Sequence, residues 1–199
     1  QQLGYPNGSI QDPRLVKIDD TFYLTYALRK YTLMNGQLDY PERFLGKNES
    51  NATQSGIAAS TDLVHWEQVC YTSEPGVDDR DHILFPEKIN GKFALLRRPH
   101  TWTGPEYGTT GPSIWISYSD DLHEWSKPEL VAQPEFAWEN GKIGGSTPPV
   151  RTDDGWLVLY HSVEKYDNMQ HRIEHGGRQI YWVGAMLLDL EDPSKVLAR

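Results

Sequence analysis

The sequence predicts an all-β protein made of three copies of one strand, turn, strand, loop, strand unit. Three observations predict it. Apolar runs are joined by Asp19-Asp20, Asn90-Gly91 and Asp153-Asp154-Gly155, and Asn-Gly or Asp-Gly between such runs is the strongest short hairpin signal. The segments Ser60 to Trp66 and Ser119 to Trp125 share the pattern Ser-x-Asp-Leu-x-x-Trp. No stretch carries the spacing of an amphipathic helix.

In order, the first copy is Leu15 to Ile18, the Asp19-Asp20 turn and Thr21 to Tyr26, then Gly56 to Ser60 and the first Trp-bearing tail. The second is Ile83 to Ile89, the Asn90-Gly91 turn and Lys92 to Leu96, then Ser113 to Ser119 and the second tail. The third is Pro148 to Arg151, the Asp153-Asp154-Gly155 turn and Trp156 to Tyr160, continued by Tyr181 to Leu190. The repeats run over about 10–70, 80–130 and 142–195. An Asp-Leu turn whose Trp folds back on the sheet, once per unit, marks a β-propeller blade. Such rings close with about four to eight blades. Residues 1–199 are therefore expected to form one partial propeller domain, an open arc of about three blades with an exposed apolar face. Two insertions interrupt the pattern: Arg29 to Ser55, polar and unpatterned, and His100 to Pro112, rich in Thr, Gly and aromatics.

With 7 Trp, 11 Tyr and a hydrophobic fraction of 38%, the composition suits short strands around polar grooves better than a helix bundle. A net charge of −9 argues against nucleic acid or an anionic membrane as main partner, so any anion site must be a local cluster of cations. The single cysteine, Cys70, excludes an intrachain disulfide and a cysteine metal cluster. No metal or organic cofactor is expected. No apolar run approaches membrane-spanning length and Gln1 opens no signal peptide. A cytoplasmic location is the expectation, with periplasmic or secreted ones open, and a homo-oligomer is compatible with the composition.

Charged residues gather at the ends of the repeats. Asp12-Pro13-Arg14 enters the first, Asp79-Arg80-Asp81-His82 and Arg97-Arg98-Pro99 bound the second, and Lys142-Ile143-Gly144 and Tyr160-His161 bound the third. Equivalent positions of successive blades converge on a propeller's axis. Arg80, Arg98, Lys142 and His161 are thus expected around one point, suited to a dianion such as phosphate. Pro13 biases Asp12 towards extended backbone, with Arg14 on the same side. That carboxylate suits catalysis, or an Asp-Pro turn with a surface ion pair. Trp102 and Tyr107 suit stacking on a sugar ring and loop-to-blade packing equally.

Several motifs, in this order, resemble glycoside hydrolase family 130: Asp12-Pro13-Arg14, Leu84 to Lys92, Arg98-Pro99, Ile114 to Leu122, Lys142-Ile143-Gly144, Gly155-Trp156-Leu157, Tyr160-His161 and Gly184 to Val196. The resemblance covers the chain outside the two insertions. It implies a five-bladed β-propeller and inverting phosphorolysis of β-mannosides with release of α-mannose 1-phosphate. It implies Asp12 as general acid, and Arg80, Arg98, Lys142 and His161 as holders of inorganic phosphate, the co-substrate. Arg14, Asp81, Glu87, Trp102 and Tyr107 are the expected contacts to the β-mannoside oligosaccharide. The chain departs from the family pattern at Arg80, where many members carry lysine, and at Gln11, where glutamate commonly precedes the aspartate. It also has Gly144-Gly145-Ser146-Thr147 in place of Gly-Ala-Gly-Pro.

An inverting displacement needs an acid to protonate the leaving oxygen and a nucleophile on the opposite face. Water as nucleophile requires a second carboxylate about 6.5–9.5 Å away. Phosphate replaces that base and requires cations. The alternatives are an inverting β-1,2-mannosidase with Glu87 or another carboxylate as base, and a non-catalytic carbohydrate-binding propeller. Five-bladed hydrolases of arabinan or xylan share the fold, but Phe85-Pro86-Glu87-Lys88 and Lys142-Ile143-Gly144 favour the mannoside family.

Overall fold

The computed structural model describes residues 8–30, 32–34, 37–39, 53–74, 77–166, 169–174 and 179–199, so most of the first insertion lies outside them. The chain is all-β, as expected, with three antiparallel sheets in which consecutive strands are neighbours. The first sheet holds β1 (Gly8–Ile18) and β2 (Thr21–Lys30), followed, after the small hairpin of β3 (Thr32–Met34) and β4 (Gln37–Asp39), by β5 (Gln54–Ser60) and β6 (Glu67–Tyr71). The second holds β7 (Asp79–Leu84), β8 (Phe93–Pro99), β9 (Ile114–Ser119) and β10 (Glu129–Ala132). The third begins with β11 (Lys142–Gly145) and β12 (Val150–Arg151), which pair in turn with β13 (Trp156–Glu164). It continues, past the short helix α1 (Met169–Glu174), with β14 (Ile180–Leu188) and β15 (Val196–Ala198).

The two Trp-bearing tails form the same turn, bond for bond. Ser60 Oγ accepts from the amides of Asp62 and Leu63, and Asp62 Oδ1 from those of Val64 and His65. Ser119 and Asp121 repeat this with Asp121, Leu122, His123 and Glu124. Leu63 and Leu122 both take a positive φ, 64° and 71°. Trp66 and Trp125 donate from Nε1 to the main-chain oxygens of Leu63 and Leu122. The third sheet keeps half of the device: Asp189 Oδ1 caps the amides of Glu191 and Asp192, while Trp156 on β13 supplies the indole bonded to Leu190.

The second sheet is packed on both faces, which is why every residue of β8 is buried. Phe93 and Leu95 join Val16, Ile18, Ile57 and Leu84 against the first sheet. Ala94 and Leu96 point the other way, into a core with Ile143, Trp156, Val158 and Met186 of the third. The period of two along a strand makes one apolar run serve two cores. The far face of the third sheet has no such cover among the described residues. Leu157 and Leu159 are exposed, opposite Leu187 and Ala185, and Val183 is 76% exposed.

The first strands meet at a common centre, where β7 touches β1, β2, β5 and β11. Each is broken there. The register slips between Gln11 and Arg14 in β1 and between Arg80 and Ile83 in β7, and pairing lapses between β11 and β12. The extended backbone expected at Asp12 is not found: its φ is 52°, and Asp81 matches it at 55°. A bulge inserts an extra residue, and aspartate tolerates left-handed backbone because its short side chain bonds locally. The bulge overrides the bias from Pro13.

Candidate active site

Arg14 joins the three sheets at their breaks. From β1, its Nε donates to Ser146 O (3.0 Å) and its Nη2 to Gly145 O (3.2 Å) of the third sheet. Nη2 also reaches Asp81 Oδ1 of the second at 3.4 Å, and Nη1 donates to the main-chain oxygen of Asp12 at 3.0 Å. The guanidinium is engaged on every side, so Arg14 sits here as a tie between sheets.

Asp81, 5% exposed, is the anionic centre. Its Oδ2 accepts from Arg98 Nε at 2.6 Å and lies 3.6 Å from His161 Nε2. Burial alone would raise its pKa, but Arg98, His161 and Arg14 outweigh burial and hold the carboxyl well below the usual range. A carboxylate so occupied is a counter-ion rather than a ready sugar contact. No side chain fits above it: a Cβ on Gly144 would overlap Asp81 Oδ2 and come within 3.0 Å of Arg98 Nε.

The four expected anion-holding residues come together around Asp81. Arg80 grips Asp78 with two bonds, Nε to Oδ1 at 2.6 Å and Nη2 to Oδ2 at 2.7 Å. Arg98 Nη1 donates to His100 Nδ1 at 3.0 Å, since a guanidinium only donates. His100 is therefore neutral, and burial together with Arg98 pushes its pKa down to about 4. Burial also lowers the pKa of His161; Asp81 opposes, while Arg98 and Lys142 reinforce it. Each guanidinium has five N–H donors, so both arginines retain unused ones.

Lys142 differs from the rest. Half-buried on β11, it has the ring of Tyr181 at 5.8 Å and no ion pair among the described residues. Burial, Arg98 and Arg80 bring its pKa down to about 8, with Asp81 opposing. Asp12 stands close by, exposed, with no ion pair on its carboxylate among the described residues and its charge acting on Arg80.

One expected sugar contact, Glu87, lies elsewhere. Glu87 is past the opposite end of β7, up to about 20 Å from Asp81 at ~3.3 Å per residue. It pairs at 3.1 Å with Arg151, at the end of the third sheet away from Lys142. Trp102 packs edge-on against Trp115 at 5.5 Å, and Tyr107 stacks on Trp102 at 5.8 Å. Of the two readings open for these aromatics, loop-to-blade packing is the one the structure displays.

Comparison with known proteins fits this geometry. The profile of glycoside hydrolase family 130, described as beta-1,4-mannooligosaccharide phosphorylase, matches residues 5–199. The chain belongs to that family. The 1,2-beta-oligomannan phosphorylase of Thermoanaerobacter sp. (strain X514) is 37% identical over 193 residues, covering 96% of this chain and 51% of that protein. A beta-1,2-mannobiose phosphorylase of the same strain is 34% identical over 194 residues, covering 96% and 50%. The solved complex of beta-1,2-mannobiose phosphorylase from Listeria innocua with beta-1,2-mannobiose has a TM-score of 0.64 at 28% identity, over 94% of this chain and 43% of that one. The chain spans about half the length of the curated relatives it matches.

Two departures from the family 130 pattern stand in the cluster. Arg80, where many members carry lysine, uses its fork on Asp78, a parallel two-point grip that an ammonium cannot make. Gly145, where the family pattern has alanine, lets the third sheet close over Ile83, as the neighbouring Gly144 lets it close over Asp81. Asp78 and His100 join the site without having been expected there: each lies two residues from an expected arginine, Arg80 or Arg98, just outside β7 and β8. Strand alternation separates the tandem arginines, since Arg97 turns to buried Asp79 and the face of Trp102 instead.

Proposed function

We propose that this chain supplies the acid and the phosphate site of an inverting β-mannoside phosphorylase whose full ring is a five-bladed β-propeller. The observation that carries the reading is Lys142, a half-buried ammonium between two guanidinia and without a carboxylate partner among the described residues. Asp78 and Asp81 offset Arg80 and Arg98, which leaves the charge of Lys142 for an incoming anion. A phosphate dianion would take bonds from Lys142, from the unused donors of both arginines and from His161. Asp12 then protonates the leaving glycosidic oxygen, directly or through a sugar hydroxyl. Phosphate attacks the anomeric carbon from the opposite face, the C–O bond breaks, and α-mannose 1-phosphate results. Bound sugar would cover Asp12, and burial raises a carboxyl towards the range of a working acid.

Hydrolysis would require a free carboxylate on the phosphate side, and Asp78 and Asp81 are both ion-paired there. Both Thermoanaerobacter relatives are named for β-1,2 linkages, so β-1,2-mannobiose is the first substrate to test. With the full-length protein, cleavage is expected to require inorganic phosphate and to yield α-mannose 1-phosphate. Free mannose released at the same rate without phosphate would make the protein a mannosidase.

A further inference from the structure

A cleft of about 400 Å³ opens beside the cation cluster, between the 100–112 loop and the third sheet. Lys142 belongs to both. The polar side chains in its wall are His100, Thr103, Thr110, Lys142, Lys165 and Gln179, and the remainder is glycine, proline and valine. Among the described residues no carboxylate lines it, although the chain carries 28 acidic residues against 19 basic ones. Because His100 Nδ1 accepts from Arg98 and the ring is neutral, its Nε2 keeps a proton and is a donor. Two ammonium groups, an imidazole N–H, two hydroxyls and an amide favour an oxyanion. Asp12 and Arg14 are not part of this wall.

We propose that this cleft is the route by which inorganic phosphate reaches Lys142, separate from the path of the sugar. The proposal rests on the phosphorylase reading above. Chemistry gives such a route a purpose. In an inverting displacement the sugar lies between the acid and the nucleophile, so a phosphate arriving after the sugar cannot come past Asp12. Inside an acidic protein, a cleft of one sign also concentrates the anion by focusing the field, an effect that fades with salt.

Lys165 is the residue to test, being exposed at the cleft and outside the cation cluster. Its main chain is held by Asn140, whose Oδ1 accepts from its amide and whose Nδ2 donates to its carbonyl, so a changed side chain leaves the backbone bonded. In full-length Lys165→Glu, kcat/KM for phosphate should fall about tenfold at low salt, and the deficit should shrink towards unity in 0.5 M NaCl. At saturating phosphate, kcat/KM for β-1,2-mannobiose should change by less than about twofold, and Lys165→Arg should restore phosphate use. Thr110→Asp, on the opposite wall, should show the same split. Unchanged phosphate kinetics in both variants overturns the route, as do equal losses towards phosphate and mannoside, which would mean a shared entrance. A wild-type enzyme that needs no phosphate overturns the phosphorylase reading itself, and this route with it.

Discussion

Asp12 in the first sheet and Asp81 in the second occupy the same bulge with nearly the same backbone, φ 52° and 55°. Their surroundings are opposite. Asp12 is exposed and its carboxylate has no ion pair among the described residues, whereas Asp81 is buried among Arg98, Arg14 and His161. The repeated bulge delivers a carboxylate to the centre each time, and the neighbours decide what it becomes. With cations around it, it is a permanent anion that organises the site. At the exposed position, it is left open to a ligand.

The comparison breaks most visibly at Asp12. In the full-length enzyme, Asp12→Asn should lower kcat by about 10²–10⁴-fold with the melting temperature unchanged, because a proton donor is lost and no buried bond is. Near-normal turnover would remove Asp12 from the mechanism. Asp81→Asn should show the reverse ranking, a loss of roughly 3–5 kcal/mol in stability read by denaturant unfolding, since buried cations lose their counter-ion. The carboxyl of Asp81 is depressed in the folded state. Its stabilisation is therefore complete above the ordinary aspartate pKa of about 4 and is lost as pH falls towards the folded value. The gap between wild type and Asp81→Asn should accordingly narrow in strong acid.

Smaller changes sharpen the contrast. Gly144→Ala forces a methyl group into Asp81 and Arg98 and should cost ~1–3 kcal/mol, with an accompanying rise in KM for phosphate. Lys142 must be protonated to hold an anion, and its pKa lies at about 8. The kcat/KM for phosphate should therefore fall as pH rises through that value, while Lys142→Arg, charged throughout, should remove the fall. At the quiet end, Glu87→Gln breaks only a half-exposed pair with Arg151 and should change stability by less than about 1 kcal/mol and turnover not at all. A large loss of turnover there would reopen the hydrolytic reading with Glu87 as base.

The architecture was legible because it is written locally. Asn90-Gly91 turns on its own backbone and the twin Ser-x-Asp-Leu-x-x-Trp segments form their turns with their own side chains, so the signal survives without tertiary information. The cation set was legible for a related reason: strand ends repeat, and repeated ends converge. Contacts across sheets were not legible. Whether Arg14 would meet a sugar or the carbonyls of Gly145 and Ser146 depends on how three sheets dock. Pro13 does not reveal the backbone of Asp12, because a bulge is defined by two strands and the proline rule speaks of one. Glu87 follows β7, and the strand carries it to the other end of the sheet from Asp81.

The bond from Arg14 to Ser146 spans 132 positions of sequence. Contacts of that separation form late, after the local hairpins, because loop closure must precede them. At about 5–20 residues per second of synthesis, roughly 7–26 s separate the emergence of one partner from the other. Throughout that interval the first sheet can pair its strands, yet Arg14 has neither its carbonyls nor Asp81 fully in place. If the cation cluster holds phosphate as proposed, it can do so only once the third sheet has docked. Appearance of phosphate protection in a refolding experiment would report completion of the fold rather than its beginning.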